Sequence, residues 1–578
     1  MFGFKKDKNI KNGNLWDSYY KDEWKNIDFF KGTLYEKIKE IALKYPKNYA
    51  LEYFKKKYTY SEMLKEIDKA ADALLSIGVK ANDYVTICMV NCPEAVFSFY
   101  AVNKIGAVAN IIHPLSSENE IKHYLKEAKS SYLIVSDFIY YKVREFKLKK
   151  MVVVPISNSM NFITKSLYNM TTKKKYKVKE LGKNALLWSK FLSLGKPSSE
   201  LLLKKDCNDV AVVLYSGGTT GSPKGVMLTN MCFSSIAESC DLMVDDTEQG
   251  NSILSYLPIF HGFGLAICIH TPLSIGMKCI LIPKINVKKI NKIVEKTKPN
   301  FLPVIPSILE VMTRDKKASK KSLSSVLCVL SGGDFLSYDL KCKTEKYLKD
   351  HGANAVIRIG YGLTESTAAT CVSLVDNYEK GSIGIPFLNT KYKIVKTNTN
   401  ITADFDEIGE ICISGPSVMK GYLNNPVETY KTIRVHDDGI SWLHTGDLGR
   451  MDENGIFYFE TRLKRMIISN GCNIYPNYLE EIYNKHPLVE SSIVVGVRDE
   501  IKQQVVKAII VLKKNIKLTE EVKNNIVEYA KKNIVKYALP KEYEYVDSIP
   551  KTSIGKVDYK KLETKEEKES KYSFLKFI

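Results

Sequence analysis

The stretch Val210-Ala211-Val212-Val213-Leu214-Tyr215-Ser216-Gly217-Gly218-Thr219-Thr220-Gly221-Ser222-Pro223-Lys224-Gly225 holds two signals that follow one another without a break. Residues 210–214 are apolar and mostly β-branched, which predicts a short strand buried on both faces, the kind that lies between layers of helix. The residues from Tyr215 to Gly225 carry four glycines, four Ser or Thr hydroxyls and one lysine. Exposed backbone N–H groups, hydroxyl donors and a cation on one loop are what a polyphosphate requires. The loop is not of the Walker type, because Pro223 stands before Lys224 where that motif needs glycine.

Working outward, helical periodicities such as Leu34-Tyr35-Glu36-Lys37-Ile38 alternate with short β-branched runs such as Tyr132-Leu133-Ile134-Val135-Ser136 over residues 33–340. That alternation predicts layered α/β structure. After Tyr392 the pattern turns to strand and turn, as in Gly409-Glu410-Ile411-Cys412-Ile413-Ser414-Gly415, which predicts a small antiparallel β subdomain. Beyond Arg462 the order reads as a strand pair, a helix near 478–485, strands near 491–497 and 505–512, a helix over 519–534 and a last strand near Tyr543. The expected division is therefore a large N-terminal domain over 1–461, a hinge at 462–465 and a small mobile α+β domain over 466–578.

The formal charge of +21 raises the question of a nucleic-acid partner. The lysines are spread over almost every segment rather than gathered on one stripe, so the reading is a solvated Lys-rich surface and no nucleic acid. Twelve cysteines lie mostly alone in apolar stretches, without a CxxC pair or zinc spacing, as expected of buried free thiols in a reducing compartment. Met1-Phe2-Gly3-Phe4-Lys5-Lys6 has no apolar region after its basic residues, and the apolar stretch 263–283 is interrupted by His270 and Lys278. A cytoplasmic location is expected. The segment Phe162-Ile163-Thr164-Lys165-Ser166-Leu167-Tyr168, followed by Lys173-Lys174-Lys175-Tyr176-Lys177, leaves two readings open: weak peripheral contact with an anionic membrane surface, or a solvated surface insertion.

The glycine-rich loop resembles the phosphate-binding signature of the adenylate-forming superfamily, which includes acyl-CoA synthetases, peptide-synthetase adenylation domains and luciferases. Further segments similar to that family's motifs follow in its order, from about Tyr58 to Leu562. The resemblance implies that Ser216, Gly217, Gly218, Thr219, Thr220, Gly221 and Lys224 bind ATP phosphates. In Leu257-Pro258-Ile259-Phe260-His261-Gly262-Phe263-Gly264 it implies that His261 positions or gates the acyl carboxylate. In Tyr361-Gly362-Leu363-Thr364-Glu365-Ser366 it implies that Tyr361 with Gly362 lies on adenine, Thr364 donates to the α-phosphate and Glu365 holds Mg²⁺. Gly332, Gly333 and Asp334 would form the opposite wall of the adenine slot. Asp447, in His444-Thr445-Gly446-Asp447, would accept both ribose hydroxyls with help from Arg462, and Lys464 would be the hinge. Lys556, in Pro550-Lys551-Thr552-Ser553-Ile554-Gly555-Lys556, would be the catalytic cation.

Several positions depart from the family pattern. Gly217 replaces a hydroxyl residue, Thr461 stands where glycine precedes Arg462, Asn477-Tyr478-Leu479-Glu480 varies a Pro-x-Glu-Ile-Glu segment, and Gln503-Gln504 replaces Gly-Glu. Three functions are compatible with these residues. The first is ATP- and Mg²⁺-dependent activation of a medium- or long-chain fatty acid to acyl-AMP and transfer to coenzyme A. The second is loading of the acyl group onto an acyl carrier protein, and the third is a non-catalytic nucleotide- or acyl-binding protein.

Overall fold

The computed structural model describes residues 14–25, 27–171, 180–196, 205–216, 223–244, 247–374, 381–469, 472–499, 503–551, 557–559 and 561–562. The chain forms two compact units. The larger holds residues 1–378, 383–392 and 413–443, and the smaller holds 379–382, 393–412 and 444–578.

The larger unit contains two predominantly parallel sheets. In the first, the strands run in the order Gly421–Tyr422, Lys224–Thr229, Val210–Ser216, Val108–Ile111, Tyr84–Cys88, Tyr132–Ser136, Lys150–Val154 and Ala185–Leu187. The six from Val210–Ser216 onward are parallel, whereas Lys224–Thr229 returns antiparallel beside Val210–Ser216. The intervening helix Pro93–Lys104 is buried on nearly every side, as a helix between layers must be.

In the second sheet Tyr49–Tyr53, Lys278–Leu281, Ser252–Ser255, Phe301–Val304, Cys328–Gly332 and Val356–Gly362 lie parallel and adjacent. Its core gathers Leu254, Leu302, Val304, Leu309, Met312 and Val329. The strands Cys328–Gly332 and Val356–Gly362 end in glycine segments, with Ser331 paired to Ile359 and Gly332 to Gly360. Pairing thus carries the sheet into the glycine segments. The apolar stretch after residue 262 is a π-helix, Phe263–His270, followed by the short helix Thr271–Ser274 and the strand Lys278–Leu281. Among the described residues no helix is long and apolar enough to cross a membrane.

In the smaller unit the C-terminal part follows the expected order closely. The hairpin Ile467–Ser469 with Cys472–Ile474 joins the long antiparallel strands Val489–Asp499 and Gln503–Leu512, and Glu542–Tyr545 adds in parallel. Helices Pro476–Asn484 and Glu520–Asn533 bury Leu479, Tyr483, Ile526 and Ala530 against that sheet. A second hairpin pairs Asp447 of Ser441–Met451 with Arg462 of Phe457–Arg462. Among the cysteines whose side chains are described, all are free thiols and all except Cys342 are buried.

Candidate active site

In open parallel sheets, ligand loops gather at the carboxyl ends of strands. Ser216 is the last residue of Val210–Ser216 and pairs with Lys224, so the glycine-rich segment connects two antiparallel strands. A strand rather than a helix follows it. Phosphate binding there would rest on loop N–H groups, hydroxyls and Lys224, without a helix N-terminus. Gly217, Gly218, Thr219, Thr220 and Gly221 lie outside the described residues, as does Lys556.

Lys224 is placed by groups that the sequence did not single out. Its ammonium lies 2.6 Å from Oε2 of Glu428, on the helix Pro426–Thr432, and 5.0 Å from the centre of the Tyr422 ring. The Lys224 hydrogen bond, with Lys431 on the other oxygen, holds the Glu428 carboxyl down to about 2. Tyr422 in turn donates its hydroxyl to Oε1 of Glu365 at 2.9 Å. Burial, reinforced by the negative charge of Glu365, pushes the Tyr422 hydroxyl up, so it stays a donor. One aromatic side chain thus touches both the phosphate-loop lysine and the glutamate expected to hold the metal ion.

Glu365 stands on a short turn, Thr364–Ser366, that leaves Tyr361, Thr364 and Glu365 half-buried. The turn is rigidly built. Ser366 Oγ accepts the amide of Leu363, and the backbone of Glu365 accepts the amide of Met419 at 2.9 Å. Thr367 sits at φ +72 and ψ −56 with Ala368 N donating to Ser366 O, a strained γ-turn held by the Thr367 hydroxyl on Ser417 O. Two glycines make this turn possible. A Cβ on Gly362 would lie 1.7 Å from Ala368 O, and one on Gly262 would lie 1.9 Å from Thr367 O. The His261 loop and the Glu365 loop therefore touch backbone to backbone.

His261 itself accepts the amide of Phe263 on Nδ1 at 3.2 Å, so in the neutral imidazole Nε2 carries the proton. The loop before it is fixed by buried Asn91, whose amide donates to Ser255 O and Leu257 O and whose oxygen accepts Ile259 N. Gly332 lies opposite Gly360, and the space where its Cβ would stand faces the Phe263 ring at 3.3 Å. Its small size therefore admits Phe263 and the neighbouring strand. Gly333, at φ +80, and Asp334 are exposed, with Asp334 capping Phe335 N. Tyr361 meets Tyr392 edge to face at 6.5 Å. The larger unit thus brings Lys224, His261, Gly332, Tyr361, Thr364 and Glu365 onto one continuous set of contacting loops.

The smaller unit carries its own constellation. Asp447 is only 4% exposed, and Oδ1 lies 3.3 Å from Nε of Arg462 across the paired strands. Beneath it, Glu410 uses one oxygen for His444 Nδ1 at 2.8 Å and the other for Gly446 N at 2.9 Å, holding Gly446 at φ +69. Thr445 Oγ1 donates to Ile411 O and accepts Asp447 N. Glu410, Cys412 and His444 bring ligand-type atoms within 4.8 Å of one another, but both carboxylate oxygens are already spent on the loop. The cluster is a support for Asp447.

Lys464 occupies the short turn Leu463–Arg465, and Arg465 next to it binds Asn477 Oδ1 at 2.7 Å and Glu480 Oε1 at 2.5 Å. The departure at 477–480 thus anchors Arg465 through Asn477 and Glu480. The Gln504 side chain accepts Ile468 N at 2.8 Å and stitches the first hairpin to the long sheet. Its place in the unit is structural.

Residues 38–423 match the family model described as AMP-binding enzyme, and 478–556 match the AMP-binding enzyme C-terminal domain. A long-chain-fatty-acid–CoA ligase of Bacillus subtilis is 34% identical over 91% of this chain and 93% of its own length. A 4-coumarate–CoA ligase of Arabidopsis thaliana is 28% identical over 88% of this chain and 86% of its own. In fold, the ATP-bound MatB of Rhodopseudomonas palustris superposes with a TM-score of 0.76 at 22% identity, covering 92% of this chain and 98% of that one. The chain belongs to the AMP-binding enzyme family.

Proposed function

We propose that this protein activates a medium- or long-chain fatty acid with Mg-ATP and transfers the acyl group to coenzyme A. The chain is an AMP-forming acid–thiol ligase, and the observation that carries the reading is the convergence of the Lys224, His261, Tyr361 and Glu365 loops in one unit of an AMP-binding enzyme. The fatty-acid assignment rests on the resemblance to the Bacillus ligase and on the apolar setting of His261, between Phe260 and Phe263 and before the buried helix Phe263–His270.

In the first step a carboxylate oxygen attacks the α-phosphorus, the bond to the bridging oxygen breaks, and pyrophosphate leaves. Two anions meet there, so fixed positive charge and donors aimed at the phosphoryl oxygens lower the barrier. Lys556 supplies the cation, Thr364 a hydroxyl donor and Lys224 a hold on the departing phosphates. Glu365 suits Mg²⁺: it is half-buried, offers hard oxygen, and has one oxygen oriented by Tyr422. When bound, Mg²⁺ would neutralise phosphate charge. Tyr361 and the Gly332 to Asp334 segment take the adenine, and Asp447 with Arg462 the ribose. In the second step the coenzyme A thiol gives up its proton to solvent as its sulfur attacks the acyl carbonyl, and the bond from the acyl carbon to the phosphate oxygen breaks, so that AMP leaves with the electron pair. A small domain beginning after the hinge at 462–465 swings between the two steps, with Lys464 as its pivot.

The test is pyrophosphate release with Mg-ATP and acids from acetate to oleate and benzoate, with and without coenzyme A. Turnover that needs coenzyme A and peaks on long chains supports the proposal. A peak on benzoate overturns the substrate class, a single burst unaffected by coenzyme A points to a carrier-protein thiol, and no release with any acid refutes the enzyme.

A further inference from the structure

The larger unit carries an apolar and basic platform remote in sequence from every site residue. The helix Phe162–Thr171 leaves Phe162 87%, Ile163 71%, Leu167 58% and Met170 79% exposed. Residues 163, 167 and 170 share one helical face and Phe162 borders it, so the exposed side is a stripe. Beside its first turn lies the tip of the hairpin formed by Tyr49–Tyr53 and Lys56–Thr59: Asn161 caps the helix through Thr164 N and also donates to Phe54 O at 3.2 Å. That tip is unusual. Phe54 and Lys55 both have positive φ, at 46° and 69°, in a two-residue turn that ordinarily takes Asn-Gly. Phe54, Lys55 and Lys57 are exposed on it. Phe54 meets Tyr53 edge to face at 4.7 Å and still leaves 40% of its surface to solvent, in a backbone conformation that is costly for a phenylalanine.

The sequence of the segment that bears the stripe carries charge of one sign. Between Pro155 and Lys179 the sequence has six lysines and no acidic residue. Large apolar side chains on one helix face, with Lys165 exposed on the same helix and Lys55 and Lys57 exposed on the hairpin, match a bilayer surface with anionic headgroups: the side chains enter the acyl boundary and the ammonium groups meet the lipid charge. We infer that the helix Phe162–Thr171 together with the Phe54–Lys55 hairpin tip is a docking surface for an anionic lipid membrane. The inference deepens the proposed function, since a membrane is where a long-chain acid partitions, but it is independent of the chemistry of the site.

The experiment is flotation of the full chain with phosphatidylcholine vesicles, with and without phosphatidylglycerol, at low and high salt. Its control is the triple variant Phe162→Asp, Ile163→Asp, Met170→Asp. Wild type is expected to float with anionic vesicles only, to be released by salt, and to lose about tenfold in partitioning in the variant. Pyrophosphate release with a water-dispersed medium-chain acid, and the thermal midpoint, should be unchanged in the variant. Equal binding to neutral vesicles, or undiminished binding of the variant, overturns the inference. A wild-type dimer that the variant dissolves, without vesicle binding, overturns it in favour of a second copy of this chain. Failure here with intact acid activation would leave the ligase reading standing, and the reverse result would separate them equally.

Discussion

At the level of single residues, the two groups that matter most to the proposed chemistry are argued differently. Lys556 rests on family resemblance, and its role is electrostatic. Lys556→Ala is therefore expected to slow adenylate formation by roughly a hundredfold or more while leaving ATP affinity within about threefold. Single-turnover adenylation and nucleotide titration check both numbers, and undiminished adenylation would remove Lys556 from the reaction. Tyr422 rests on geometry alone, since its hydroxyl holds Glu365 and its ring lies beneath Lys224. Tyr422→Phe keeps the ring and loses the hydroxyl, so half-saturation by Mg²⁺ should rise about tenfold while the KM for the acid stays put. Manganese binding to the ATP complex, followed by electron paramagnetic resonance, should weaken in parallel. A variant with wild-type metal dependence would show that Tyr422 only fills space. Nothing in the sequence marked Tyr422 or Glu428, because a Gly-Tyr pair and a glutamate in a capped helix are common and their meaning comes from what faces them.

At the level of elements, the site loops owe their shape to close backbone approach. Gly262 and Gly362 lie against the carbonyls of Thr367 and Ala368 on either side of a strained turn. The strain is carried two residues from Glu365, where a fixed carboxylate direction is useful. The short turn Leu463–Arg465, with Lys464 at its centre, is what would turn between the two half-reactions. Lys464→Pro fixes φ and removes an N–H at that point. It should depress thioester formation at least about tenfold more than pyrophosphate exchange. Equal loss in both would refute a pivot at Lys464. Among elements, the strand 210–214 and the order of the C-terminal unit were readable because apolar runs bounded by turn residues have few alternatives. The π-helix Phe263–His270 was not, since its apolar run suits several buried conformations equally.

Across the whole molecule, a buried histidine ties stability to pH. His270 is fully enclosed, with Tyr100 Oη 3.1 Å from Nδ1, and burial pushes it down to about 3 from an ordinary 6.5. Between those values the unfolded chain binds the additional proton and the folded chain does not. Stability contributed by this group is thus complete above about 6.5 and is lost progressively as pH falls toward about 3. Urea midpoints measured over that window should decline in the wild type, and more shallowly in His270→Leu. An identical slope in the two proteins would assign the decline elsewhere.

By itself the sequence determined the layered α/β body, the order of its C-terminal elements and the ordered motifs in which the candidate residues stand. These are local matters: periodicity, turn residues and ordered motifs are contained within short windows of chain. Only the tertiary structure decided which residues orient those groups. Tyr422 lies 57 residues from Glu365 and Glu428 lies 204 from Lys224, while Glu410 sits 34 and 36 positions from His444 and Gly446. Such partners meet because strands far apart in the chain lie side by side in a sheet, as Gly421–Tyr422 does beside Lys224–Thr229 and Gly409–Ser414 beside Ser441–Met451, and no window of sequence contains both halves of the contact. The same holds for the platform of Phe54 with Phe162 and Met170. The segment 162–168 already reads as a surface segment in the sequence, but only the fold sets the Phe54 hairpin tip beside it.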